Sequence, residues 1–165
     1  MTFSCSELER NRERLTTHPL WTKFLYYADA IRWIEATTID VSPGTIALLA
    51  RLLPASQSIL FPSLRYLRWT ECLVNSNDLM YMLSPSVDEL QLLIYDFYDH
   101  AYTSFAFSEW ATRISHLGAH LCPHIRFLSV GGIGPLILAD TSVLTYFANL
   151  HQLTLTQQAF DCRCI

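Results

Sequence analysis

Four residues able to bind zinc crowd into positions 116–124: His116, His120, Cys122 and His124 read H-x3-H-x-C-x-H. On a helix, His116 and His120 would share one face, and a thiolate among imidazoles is a familiar zinc donor set. Yet Cys122 and His124 flank Pro123 at the start of a segment whose hydrophobic pattern already accounts for them. No second C-x-x-C element and no carboxylate stands at ligand spacing. The expectation is a packed turn and no metal. A second cluster, DFYDH at 96–100, offers Asp96, Asp99 and His100 for acid–base work. It has no nucleophile motif beside it and reads as a contact loop or a solvated turn. GGIGP at 131–135 lacks the spacing of a dinucleotide fingerprint or a P-loop. Its glycines are expected to permit a sharp exit from a strand. The terminal CRCI sets Cys162 in the frame of a prenylation box, with Arg163 and Cys164 where aliphatic residues belong. None of these supports a catalytic site, and no cofactor is expected.

The elements that would carry such residues come from the composition and its periodicity. With 51% hydrophobic and only 16% charged residues, the 165-residue chain can bury one substantial core and does not read as disordered. A net charge of −4 gives no electrostatic reason to expect nucleic acid or an acidic membrane surface as partner. No apolar run approaches the roughly 18 residues that span a bilayer. The start, MTFSCSELERNRERL, is charged where a signal peptide is apolar. An intracellular protein, cytoplasmic or nuclear, with its five cysteines reduced is the expectation.

One pattern recurs. In FPSLRYLRWTEC, Leu64, Leu67 and Trp69 follow Pro62 at a three-then-two spacing that suits neither a helix nor a simple strand. The same offsets place Val87, Leu90 and Leu92 after Pro85, and Ile125, Leu128 and Val130 after Pro123. Leu150, Leu153 and Leu155 follow Ala148, and a weaker copy gives Ile31, Ile34 and Ala36 after Asp29. A chain that turns and then runs as a short strand would bury all three residues of each triplet. Five copies at unequal intervals indicate an irregular repeat array.

Helical patterns precede the strands. LWTKFLYYADA is dense in large apolar residues, and VSPGTIALLARLLP carries a helical stripe stopped by Pro54. NSNDLMYMLSP offers a cap at Ser76 or Asn77 and must end before Pro85. FAFSEWATRISHLGAHL and DTSVLTYFANL, the latter capped at Asp140 or Thr141, complete the set. Helical crossovers make successive strands parallel. The expectation is an α/β fold, an irregular solenoid of about five parallel strands. Residues 1–19 form a charged lead-in, 20–157 the repeat domain and 158–165 a short tail.

If the triplets face inward, the residues between them line the open face in rows. The first row is Trp33, Tyr66, Glu89, Phe127 and Gln152. The second is Glu35, Arg68, Gln91, Ser129 and Thr154; the third is Thr37, Thr70, Leu93, Gly131 and Thr156. With strands roughly 4.8 Å apart, each row spans on the order of 19 Å. Such a surface suits a protein or peptide and is too open to enclose a small substrate. Aromatic residues and arginine dominate protein interfaces, so Tyr66, Arg68 and Phe127 are the candidate anchors. Trp33 extends their aromatic row, and Glu35, Glu89 and Gln91 would adjust specificity.

WTKFLYYADAIRWI, FPSLRYLRWTEC, MLSPSVDELQL and CPHIRFLSV, in that order, resemble the leucine-rich-repeat region of fungal F-box-type proteins, especially those of mushroom-forming fungi. The resemblance covers roughly residues 20–157. It implies a leucine-rich-repeat arc with helices on the convex side. It also implies recruitment of a substrate protein for ubiquitination, with an N-terminal F-box binding the adaptor of a cullin-based ubiquitin ligase. Residues 1–19 are too few for an F-box, so adaptor binding is expected only of a longer form. The leading expectation is a non-catalytic protein-interaction module. The alternatives are a fragment of a larger F-box protein without independent activity and, remotely, a hydrolase using His and Asp residues such as Asp96.

Overall fold

Turn chemistry explains the three-then-two spacing. The structure, a computed structural model, describes residues 12–37, 41, 43–71, 78–94, 121–132 and 145–157. In four repeats the triplet opens on a tight turn closed by one backbone bond across three residues. Leu64 N–H donates to Phe61 O, Val87 to Ser84, Ile125 to Cys122 and Leu150 to Phe147, at 3.0–3.3 Å. Pro62, Pro85 and Pro123 occupy the second turn position, where a fixed φ near −65° is already the required one. Ala148 fills it in the fourth. The first triplet residue closes the turn; the other two alternate along the strand that follows.

Five strands result: β1 (Trp33–Thr37), β2 (Tyr66–Glu71), β3 (Glu89–Ile94), β4 (Phe127–Gly132) and β5 (Gln152–Gln157). They form one all-parallel sheet in sequence order, so the protein is α/β. Register is set one residue before each strand. The carbonyl of Arg32 accepts from both Arg65 N–H and Tyr66 N–H, at 2.9 and 3.0 Å. Arg65, Asp88 and Arg126 each do the same for the next repeat. This two-donor lock at every strand start lines up equivalent positions, and the pairing follows: Trp33 opposite Tyr66, Glu89, Phe127 and Gln152.

Inward alternation builds the core. Leu64, Leu67, Trp69, Val87, Leu90, Leu92, Ile125, Leu128 and Val130 are all buried. Each such side chain contributes about 1.5–3 kcal/mol of hydrophobic stabilisation. A second column lies beneath the turns, made of their first residues: Phe61, Ser84, Cys122 and Phe147. In the first repeat Ala28, in the last turn of a helix, takes this place. The polar members are satisfied. Ser84 Oγ reaches Pro62 O (3.3 Å) and Ser86 Oγ (2.7 Å), and the Cys122 thiol donates to Ser84 O at 3.3 Å. Asn149 Nδ2 donates to Pro123 O at 2.8 Å, so the turns are tied to one another as the strands are.

Among the described residues, three helices contribute to this core. α1 (Pro19–Ala30) has Pro19 at its first turn and a His18 Nδ1 cap on Leu20 N–H. Its Trp21, Phe24, Leu25 and Ala28 recur at helical spacing and meet the core. α2 (Thr45–Arg51) and α3 (Asp78–Met82) lie in the next two crossovers and add Ile46, Leu79 and Met82. The helices anticipated at 105–121 and 141–150 fall largely outside the described residues, as do the caps at Ser76, Asn77, Asp140 and Thr141. Residues 145 and 146 form a single helical turn.

One reading needs correction. Leu155, assigned to the buried triplets, is 45% exposed, because among the described residues β5 has a neighbouring strand on one side only. Gly131 lies within β4 on the open face, where the third row places it, and the strand exit after Gly132 falls outside the described residues. A Cβ there would collide with Thr156 Oγ1 and come within 2.8 Å of Leu93 Cδ2. Its neighbours in the third row lean over it. Gly131→Val is therefore expected to lower stability by about 1–3 kcal/mol through overpacking, read as a fall in the urea midpoint.

Candidate binding face

α1, α2 and α3 all meet the core, on the side of the sheet opposite the rows. The zero offset from strand to strand gathers residues far apart in sequence into the three rows. All seven candidate residues therefore lie on one surface.

In the first row Trp33 is 58% exposed yet stacked on Tyr66, with ring centroids 5.5 Å apart and planes 12° from parallel. Glu89 follows, then Phe127, 38% exposed. The Arg126 guanidinium lies over the Phe127 ring at 5.6 Å and pairs with Asp88 at 2.8 Å. In the second row Arg68 Nη1 meets Glu35 Oε1 at 3.4 Å, and both side chains are more than 40% exposed. A pair so hydrated is worth under about 1 kcal/mol; its use is to hold Arg68 upright between two strands. Gln91 Nε2 donates to Glu89 Oε1 at 3.3 Å.

The Tyr66 phenol is held above its usual range. Partial burial is the largest cause, then the Glu35 charge, opposed by Arg68 and reinforced by Glu89. It stays a neutral donor and acceptor at physiological pH. The surface thus offers aromatic rings, a hydroxyl, carboxylates and one guanidinium, groups suited to contact with another molecule.

Of the suggested zinc set, only Cys122 and His124 are described. Cys122 is turned into the core, where burial pushes its thiol up to about 12 against the opposing Ser84 hydrogen bond. A thiolate ligand is disfavoured there. His124 is exposed. His116, His120, Asp96, Asp99, His100 and the terminal CRCI lie outside the described residues, as do the cysteines other than Cys122. Among the described residues no three His, Cys, Asp or Glu side chains gather as a metal site, and no helix is long and apolar enough to cross a membrane.

Two features of the face escaped the sequence reading. One is the Asp88–Arg126 pair flanking Phe127. Its signal was available, since the position before each strand reads Arg32, Arg65, Asp88, Arg126 and His151. Opposite charges in adjacent strands at one offset are neighbours. The other is the Gly131 gap, which depends on how the side chains of Leu93 and Thr156 lean and leaves no mark in the sequence. Compared with known proteins, the chain matches no family model, no curated protein and no solved structure.

Proposed function

We propose that the chain is an irregular leucine-rich-repeat arc, helices on its convex side, whose open sheet face recognises another protein without catalysis. The observation that carries this reading is the alignment that brings exposed Trp33, half-buried Tyr66 and exposed Phe127 into one row of the open face beside Arg68. Aromatic rings left open to water on one sheet face are costly, and exposed apolar groups rimmed by polar ones mark interaction surfaces. On an open sheet face affinity comes from complementarity over many contacts, with the rings and Arg68 as anchors. Recruitment of a substrate protein in an F-box-type ubiquitin ligase is the cellular role that the sequence resemblance adds.

Tyr66→Ala combined with Arg68→Glu is the test. Affinity capture from source cells by this variant is expected to fall at least about tenfold, with a thermal melt within a few degrees of the parent. Undiminished capture by a folded double variant would sink the assignment of this face.

A further inference from the structure

Resting on the reading of the open face as a recognition surface, we infer that Glu89 and the Trp33–Tyr66 stack form a subsite for an arginine side chain on an extended segment of the partner protein. Glu89 stands between Tyr66 and Phe127 in the first row. The other two carboxylates near it are matched: Glu35 with Arg68, and Asp88 with Arg126. Glu89 accepts from Gln91 alone and has no cationic partner among the described residues. A half-buried carboxylate without a cation, beside a parallel stack of exposed Trp33 on half-buried Tyr66, presents complementary charge and a π surface together.

A guanidinium satisfies both demands at once. It is planar, stacks on an aromatic face, and gives paired hydrogen bonds to a carboxylate. The protein already displays this combination one strand away, where Arg126 covers the Phe127 ring while bonded to Asp88. After burial, the groups acting on the Tyr66 hydroxyl are two carboxylates against one arginine, so the locality is net negative. An incoming arginine would complete the alternation that runs from Glu35 through Arg68 to Glu89.

The experiment is selection of a phage-displayed random heptapeptide library on the immobilised full chain, followed by anisotropy titration of synthetic peptides from the enriched clones. Enrichment of arginine is expected, with binding weakened about tenfold by Glu89→Gln and several-fold by replacing the peptide's arginine with lysine. Thermal melts of each variant confirm an intact fold. Peptides that require Tyr66 but lack arginine, or that are indifferent to Glu89→Gln, overturn the arginine subsite while the recognition face stands. Failure to obtain any peptide sensitive to the Tyr66→Ala/Arg68→Glu pair overturns both.

Discussion

Trp69→Ala is expected to destabilise the protein by about 3–5 kcal/mol, a large part of the total stability of an ordinary domain. Trp69 is 1% exposed in β2, facing the core between Ala36 of β1 and Leu92 of β3. Ala36 leaves room on one side that only a large ring fills. Removing the indole opens a cavity beneath the sheet that rigid strands cannot close. Trp69→Phe should cost less, because most of the apolar volume remains. Urea unfolding followed by circular dichroism measures both. A loss below about 1 kcal/mol for the alanine variant would mean that the second repeat is not packed as described.

Asp78→Ala is expected to cost about 3 kcal/mol through a different mechanism. Asp78 is buried at the start of α3, yet its carboxylate serves another helix. Oδ2 accepts from Gly44 N–H at 2.7 Å and Oδ1 from Ala47 N–H at 2.9 Å. These are donors at the N-terminus of α2, which has no side-chain cap of its own; Gly44, at φ +81°, starts it. A carboxylate at a helix start also meets the positive end of the helix dipole. Alanine would leave both partly buried bonds without their acceptor at the first turn of the helix. Asp78→Asn keeps one acceptor oxygen and should recover about half of the loss. Equal stability of all three proteins by urea titration would contradict the cap.

The same residue shows where sequence reasoning stops. NSNDLMYM invites a local cap at Ser76 or Asn77, since capping residues ordinarily serve the helix they precede. Asp78, the residue after them, reaches α2, 31 and 34 residues earlier in two of its bonds, and no local pattern encodes a contact between successive crossovers. The rows of the open face were legible for the opposite reason. A two-donor lock repeated at each strand start keeps the offset at zero, so counting from the turn suffices to place Trp33 beside Tyr66 and Glu89 beside Phe127. The turn column of Phe61, Ser84, Cys122 and Phe147 was hidden by its mixed chemistry, since shape and one inward direction unite it. Leu155 was misread because its sequence matches the other triplets, while its burial depends on a strand's position in the sheet.

Site-specific photocrosslinking tests the central claim, recognition through the open sheet face, most directly. A benzophenone amino acid would be placed at Thr70, in the third row of that face, and separately at Tyr81, exposed on α3 across the sheet. Irradiated in extract of the source cells, the Thr70 variant is predicted to yield a discrete adduct that disappears when Tyr66→Ala and Arg68→Glu are added, while the Tyr81 variant yields none. Adducts from Tyr81 but not from Thr70, or adducts from Thr70 that survive the double substitution, would contradict it.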